Sequence, residues 1–175
     1  MASPPPQNPA GEFVSEREPS DRRIHELVAE VAAAPAVVRA AVAGLSGAQL
    51  DVPYRNWTIR QIVHHVADSH VNSYVRFKWA LTEDRPTIKA YFEDRWVALA
   101  DSRTGDVAPA LALLDAVHGR WAQLMRAMTP DQWRRVFHHP ESGAVVRLDE
   151  ALPYYAWHAR HHAAQIRWLR DNGRA

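Results

Sequence analysis

Residues 154–169 read YYAWHARHHAAQIRWL, and the spacing inside this stretch decides the fold. Leu152, Tyr155, Ala156, Ala159, Ala163 and Ile166 recur at steps of three and four, the period of a helix with one apolar side. That helix is expected from about Asp149 to Asp171, with Gly173 just beyond it in the usual stopping position. Placing residues at 100° steps separates its three histidines. His158 and His162, four apart, stack along the edge of the apolar side in a row continued by Gln165 and Leu169, whereas His161 points towards water. Zinc-binding helices use such an i, i+4 pair of imidazoles, because both nitrogens reach one ion. The polar edge of an ordinary helix can carry the same pair, so a metal reading needs a third ligand from elsewhere in the chain.

Working outward, three more helices of the same kind appear. One starts at Ser20 or Asp21 and runs to about Val42, and Pro35 should kink or split it. A second runs from near Thr58, with Asn56 as its cap, to about Leu81. Ile59, Ile62, Val63, Val66, Phe77 and Leu81 form its stripe. A third, Val107 to about Met128, carries Leu111, Leu114, Val117, Trp121, Leu124 and Met128 on one side. Between the second and third lies a long connection with a short helix around Arg95–Ala100. PESGA, residues 140–144, is a turn between two short apolar pieces and suggests a small β-hairpin. Four long amphipathic helices with no extended sheet indicate an all-α protein, a four-helix bundle. Residues 1–19 hold five of the twelve prolines and read as an extended arm, leaving 20–175 as a single domain.

The source of a third ligand is VHHVADSHVNSYVRFK, residues 63–78. His64 and His65 lie about 100° apart on their helix, so both cannot aim at one ion. The apolar stripe does not choose between them. His65, however, lines up with Asp68, Ser69, Asn72 and Arg76, a polar row beside the core. That row reads either as a site wall, with Asp68 orienting His65, or as a solvated helix edge. His70, near the middle of the stripe, reads as a packed, hydrogen-bonded histidine.

Composition narrows the classes. The 21 Lys and Arg nearly balance 20 Asp and Glu, and no basic block stands out, which disfavours a nucleic-acid partner. With no cysteine, a disulfide framework, a thiolate nucleophile and sulfur-ligated zinc are excluded. Any metal must be held by nitrogen and oxygen. No apolar run approaches the roughly 20 residues of a membrane span. The opening MASPPPQNPAGEF has neither the basic end nor the apolar stretch of a secretory signal, so a cytoplasmic protein is expected. A diiron bundle is set aside for want of Glu-x-x-His pairs.

NWTIRQIVHHVADSHVNSYVRFKWALTED (56–84), HGRW (118–121) and YYAWHARHHAAQI (154–166) closely resemble the YfiT-like metal-dependent hydrolases of the DinB superfamily. PAGEF, VPYR, PTIKAY and FHHPESG extend the likeness over nearly the whole chain from about Pro9. The resemblance implies a four-helix bundle of unusual connection order and a homodimer. It also implies one divalent ion, zinc or else nickel, on His65, His158 and His162.

Three neutral imidazoles would leave such an ion an open position, where a water can be activated for hydrolysis or a thiol held as thiolate. A small-molecule substrate follows from the first reading. The second implies a low-molecular-weight thiol cosubstrate such as bacillithiol or mycothiol, which relatives of the family transfer, since this chain has no sulfur nucleophile of its own. Arg76 could meet an anionic substrate or form a salt bridge with Glu83 or Asp84. A third reading is a non-catalytic, metal-binding stress protein. It requires a fourth ligand, for which His138 and His139 are the available histidines.

Overall fold

The computed structural model describes residues 4–175; residues 1–3 of the expected arm lie outside them. Eight helices and two antiparallel hairpins follow one another in the described chain. The long helices are α1 (Asp21–Val42), α3 (Ile59–Thr82), α6 (Val107–Arg126) and α8 (Leu148–Asp171). Between them lie the short helices α2 (Gly47–Leu50), α4 (Glu93–Trp96), α5 (Ala100–Thr104) and α7 (Pro130–Trp133). Hairpin β1 (Pro53–Tyr54) with β2 (Trp57–Thr58) precedes α3, and β3 (Val136–His138) with β4 (Val145–Arg147) precedes α8. The second hairpin turns through residues 139–144, where PESGA predicts it.

α1 packs on α8 and α6, and α3 packs on the same two, so α1 and α3 stand diagonally across the bundle. Consecutive long helices are therefore not all neighbours, unlike an up-down bundle with short loops. The long connections make this possible. The one between α1 and α3 holds α2 and the first hairpin, and the one between α6 and α8 holds α7 and the second hairpin.

Local chemistry explains the ends. Ser20 caps α1, its hydroxyl accepting from the Arg23 amide at 3.3 Å. Thr58, not Asn56, caps α3, because Gln61 stands three residues on and completes a reciprocal capping box. Asn56 instead lies in the two-residue turn of the first hairpin beside Arg55, whose φ of +56° is left-handed. The expected single short helix around 95–100 is replaced by α4 and α5 on either side of Val97. Pro35 neither ends nor splits α1, which continues through it to Val42. Arg170 of α8 donates to the carbonyls of Ala41 and Ala43 at 2.8 and 3.1 Å, satisfying the open C-terminus of α1.

The core has two apolar parts. One gathers Ala34–Val42, Ile59–Ala67, Leu111, Leu114 and Ala159–Leu169; the other gathers Ile24–Val31, Phe77, Trp121, Met125, Leu152 and Ala156. On α3, α6 and α8 the gap between the two parts contains a buried histidine: His70, His118 and His158. The core is thus crossed by a polar belt. Among the described residues no helix is long and apolar enough to cross a membrane.

Residues 4–19 form no helix or strand and are bound to the body. The Tyr54 hydroxyl donates to Pro6 O at 2.5 Å and Trp157 Nε1 donates to Gly11 O at 3.0 Å. Phe13 packs its ring against Tyr154 and Trp157, at centroid distances of 5.4 and 5.7 Å. Ion pairs Glu16–Arg23 and Glu18–Arg147 tie down its end.

Candidate metal centre

α3 and α8 are neighbours, and each brings its polar row to their shared seam. His65 from α3 and His158 and His162 from α8 meet there, with one ring nitrogen of each within 4.8 Å of the others. His158 Nε2 lies 3.2 Å from His65 Nε2 and 3.2 Å from His162 Nε2. All three side chains are buried. Burial pushes the His65 imidazole down to about 4 and holds His158 and His162 well below the ordinary histidine range. The neighbouring rings lower the latter two further. The rings are therefore neutral at pH 7.

Three neutral imidazoles cannot satisfy one another. A neutral imidazole nitrogen is either donor or acceptor, yet His158 Nε2 faces two others at hydrogen-bond distance. A cation among three lone pairs resolves the conflict, and an all-nitrogen set suits a borderline ion such as zinc or nickel. The donor set fits a divalent metal.

The surroundings hold the rings in place. Trp57 of the first hairpin lies over His65, with centroids 4.6 Å apart, and stacks on His162 at 6.4 Å. Its indole is fixed by Nε1 donating to Asp94 Oδ1 at 3.0 Å. His162 Nδ1 bonds Gln165 Oε1 at 2.8 Å, and His158 Nδ1 bonds His70 Nε2 at 3.1 Å. The three rings form the floor of a cleft of about 560 Å³, walled by Arg76, Tyr91, His139, Tyr154 and the arm residues Phe13 and Ser15. The Nε of Arg76 is buried without a hydrogen-bond partner, and no carboxylate pairs with Arg76 among the described residues, Glu83 and Asp84 included.

Two expectations are corrected. Asp68 does not orient His65: the Nδ1 of His65 is buried with no partner and its Nε2 faces His158. The Asp68 carboxyl instead feels burial and the charge of Asp101, which raise it to about 6. His161 is not in water, being only 7 % exposed. Trp157 stacks on it at 4.5 Å, and Trp157 is itself held by the arm through Gly11 and Phe13. Helical phase separates His161 from the group of three but not from the cleft, which it also lines, and the ring over it is Trp157 rather than water. His139 lines the cleft, yet neither it nor His138 joins the group of three. His118 was passed over because a lone histidine within an apolar stripe carries no sequence signal.

Comparisons with known proteins bear on the family and the fold. A family model described as the DinB superfamily matches residues 23–166. The chain is 44% identical to "Putative metal-dependent hydrolase YfiT" of Bacillus subtilis over 160 residues, 90% of each chain. It is also 44% identical over 165 residues to "Putative metal-dependent hydrolase BcerKBAB4_2443" of Bacillus mycoides, covering 93% of this chain and 94% of that one. The solved structure of YfiT from Bacillus subtilis is described as a probable metal-dependent hydrolase with an unusual four-helix bundle topology. It superposes with a TM-score of 0.92 at 42% identity, covering 96% of this chain and 98% of the other.

Proposed function

The chain belongs to the DinB superfamily, and from that premise we propose that it is a metal-dependent hydrolase acting on a small, anionic substrate. The observation that carries the reading is the meeting of His65, His158 and His162 on the floor of an open cleft. These three residues would hold one divalent ion per chain, zinc first and nickel second. When bound in an open three-nitrogen site, such an ion supplies Lewis acidity that lowers the pKa of water from about 15.7 towards ~7 or holds a thiol as thiolate.

The chain's own residues supply the rest. The three rings offer neutral lone pairs because burial keeps protons off them. Trp57 shields one side of His65 and His162 from solvent. Arg76, a cation in the cleft wall that forms no ion pair among the described residues although Glu93, Glu141 and Glu150 line the same cleft, would receive a carboxylate or comparable anion in its planar fork. Tyr91, Tyr154 and Phe13 offer aromatic surface to the remainder of the substrate.

The test is hydrolysis of paired chromogenic esters and amides, with and without a carboxylate, by the zinc-loaded chain. Activity that a chelator removes and that favours the carboxylate member supports the proposal; rates at the uncatalysed background for every pair refute it. A thiol arm separates the alternative. The cleft has room for a cosubstrate, so the same protein is incubated with an alkylating electrophile, with and without a small thiol. Consumption only when the thiol is present would assign thiol transfer instead.

A further inference from the structure

Beneath the three rings, the belt of buried histidines forms a continuous hydrogen-bonded chain across all four long helices. It begins at the carbonyl of Val31 in α1. Within a helix that oxygen would accept from the amide four residues on, but residue 35 is proline and has no N–H. The freed carbonyl meets His118 Nδ1 of α6 at 2.6 Å. His118 Nε2 meets His70 Nδ1 of α3 at 2.8 Å, and His70 Nε2 meets His158 Nδ1 of α8 at 3.1 Å. His70, His118 and His158 are each at most 4 % exposed, so desolvation favours their neutral forms.

A carbonyl oxygen can only accept, and that fixes every proton in the chain. His118 must carry its hydrogen on Nδ1 to reach Val31, which leaves its Nε2 bare. A bare Nε2 must receive a hydrogen, so His70 carries its proton on Nδ1, and its own Nε2 is bare in turn. His158 must then donate from Nδ1. The Nε2 of His158 is left as a lone pair, and it is this atom that faces His65 and His162 at 3.2 Å. His162 has no such anchor, because the Gln165 amide offers a donor and an acceptor and can serve either tautomer.

We propose that the Val31 carbonyl, His118 and His70 are a positioning chain that locks His158 in its Nδ1–H tautomer, so that this ring presents a bare Nε2 before any ion arrives. Pro35 is the residue that frees the carbonyl at the head of the chain. The proposal rests on the metal-site reading for its purpose, but the tautomers follow from the hydrogen bonds alone. With the chain broken, His158 could place its proton on Nε2, directly in the position an ion would occupy. Outer partners of metal-bound histidines act in this way, and their loss costs about 10–100-fold in metal affinity.

The test has two readouts on the full-length chain. Long-range ¹H–¹⁵N spectra of the ¹⁵N-labelled, chelator-stripped protein at pH 7.5 should show His70, His118 and His158 each as a single Nδ1–H tautomer. An Nε2–H signal for His158 or His118 overturns the proposal, whatever any variant does. In His118→Phe, His158 should no longer hold that single tautomer. Its zinc affinity, measured by competition with a chromophoric chelator, should fall by about 10–100-fold while saturation still reaches one ion per chain. An unchanged His158 tautomer with affinity equal to the parent refutes the chain and leaves the metal site standing. Failure of the parent to bind zinc refutes the metal site, and the parent's spectrum still decides the tautomers.

Discussion

Lowering the pH from 7.5 to 5.5 should destabilise the metal-free protein by more than about 1 kcal/mol, because the fold buries several neutral histidines. His65 falls from 6.5 in the unfolded chain to about 4 in the native protein, because burial opposes its charge. Between those values the unfolded chain binds a proton the native chain does not, so stability is full above about 6.5 and is lost as the pH falls towards 4. At pH 5.5 that one group costs about 1 kcal/mol. His70, His158 and His162 are also held well below 6.5 and His118 is lowered too, burial being the largest cause each time, so all four act in the same direction. Asp68 acts with the opposite sign. Its carboxyl is raised to about 6 by burial, so its cost in the native state is relieved on acidification, by under about 1 kcal/mol at pH 5.5.

A net loss above about 1 kcal/mol is a measurable share of the ~5–15 kcal/mol that holds a domain together. Urea titrations at the two pH values measure it, with chelator present so that ion release adds no pH dependence of its own. With a slope of about 2 kcal/mol/M, the midpoint should fall by more than about 0.5 M. A shift below about 0.5 M would mean that the belt is protonated or solvated in the native protein, and the reasoning from its neutrality would fail.

Three further outcomes are expected. Purified protein should carry about one divalent ion per chain by elemental analysis and His158→Ala should lose it; a full equivalent retained by that variant removes His158 from the site. His161→Ala should leave the ion content nearly unchanged at saturating zinc, since its ring bonds Gln165 and is not in the group of three; loss of the ion would make it a ligand. Arg76→Gln should lower kcat/KM for carboxylate-bearing substrates by about 10–100-fold, the worth of a charge-assisted hydrogen bond, and leave neutral substrates and metal content alone. Equal losses on both substrate types would remove Arg76 from anion binding.

The bundle was legible because each long helix writes its period in residues such as Ile59, Ile62, Val63 and Val66, and because the apolar face must be buried somewhere. The meeting of His65 with His158 and His162 was legible in part: helical phase pairs His158 with His162 but leaves His64 and His65 equal, the polar row of Asp68, Ser69, Asn72 and Arg76 favours His65, and the family resemblance supplies the set of three. What was not legible depends on contacts between distant segments. The cover over His161 is Trp157, itself held by the arm, and the partner of His118 is a carbonyl on another helix. Pro35 shows the difference most clearly. Read locally, it breaks a helix; in the fold, the missing N–H leaves an acceptor in the middle of the bundle, and a histidine from α6 takes it. Asn56 lost its place as a cap to Thr58 because only Thr58 has a glutamine three residues on.

Whether the site is open separates an enzyme from a metal-stabilised bundle, and the second hairpin bears on that point. A structural site closes with four protein ligands, whereas three leave a position for chemistry. The histidines available for closure are His138 and His139, and their backbone is held where it is. His138 N–H donates to Pro86 O at 2.8 Å, Ile88 N–H donates to His138 O at 3.0 Å, and His139 N–H donates to Ala144 O at 2.9 Å. Phe137 on the same strand is 2 % exposed and anchors the hairpin further. His139 lines the cleft but stands outside the group of three. Moving the hairpin's backbone to bring it nearer would break these bonds, at about 1–3 kcal/mol for each polar group left buried without a partner, and would disturb the Phe137 site, which costs about 3–5 kcal/mol when emptied. That cost opposes a fourth ligand brought in by the backbone and supports the reading of a site with one side left for substrate.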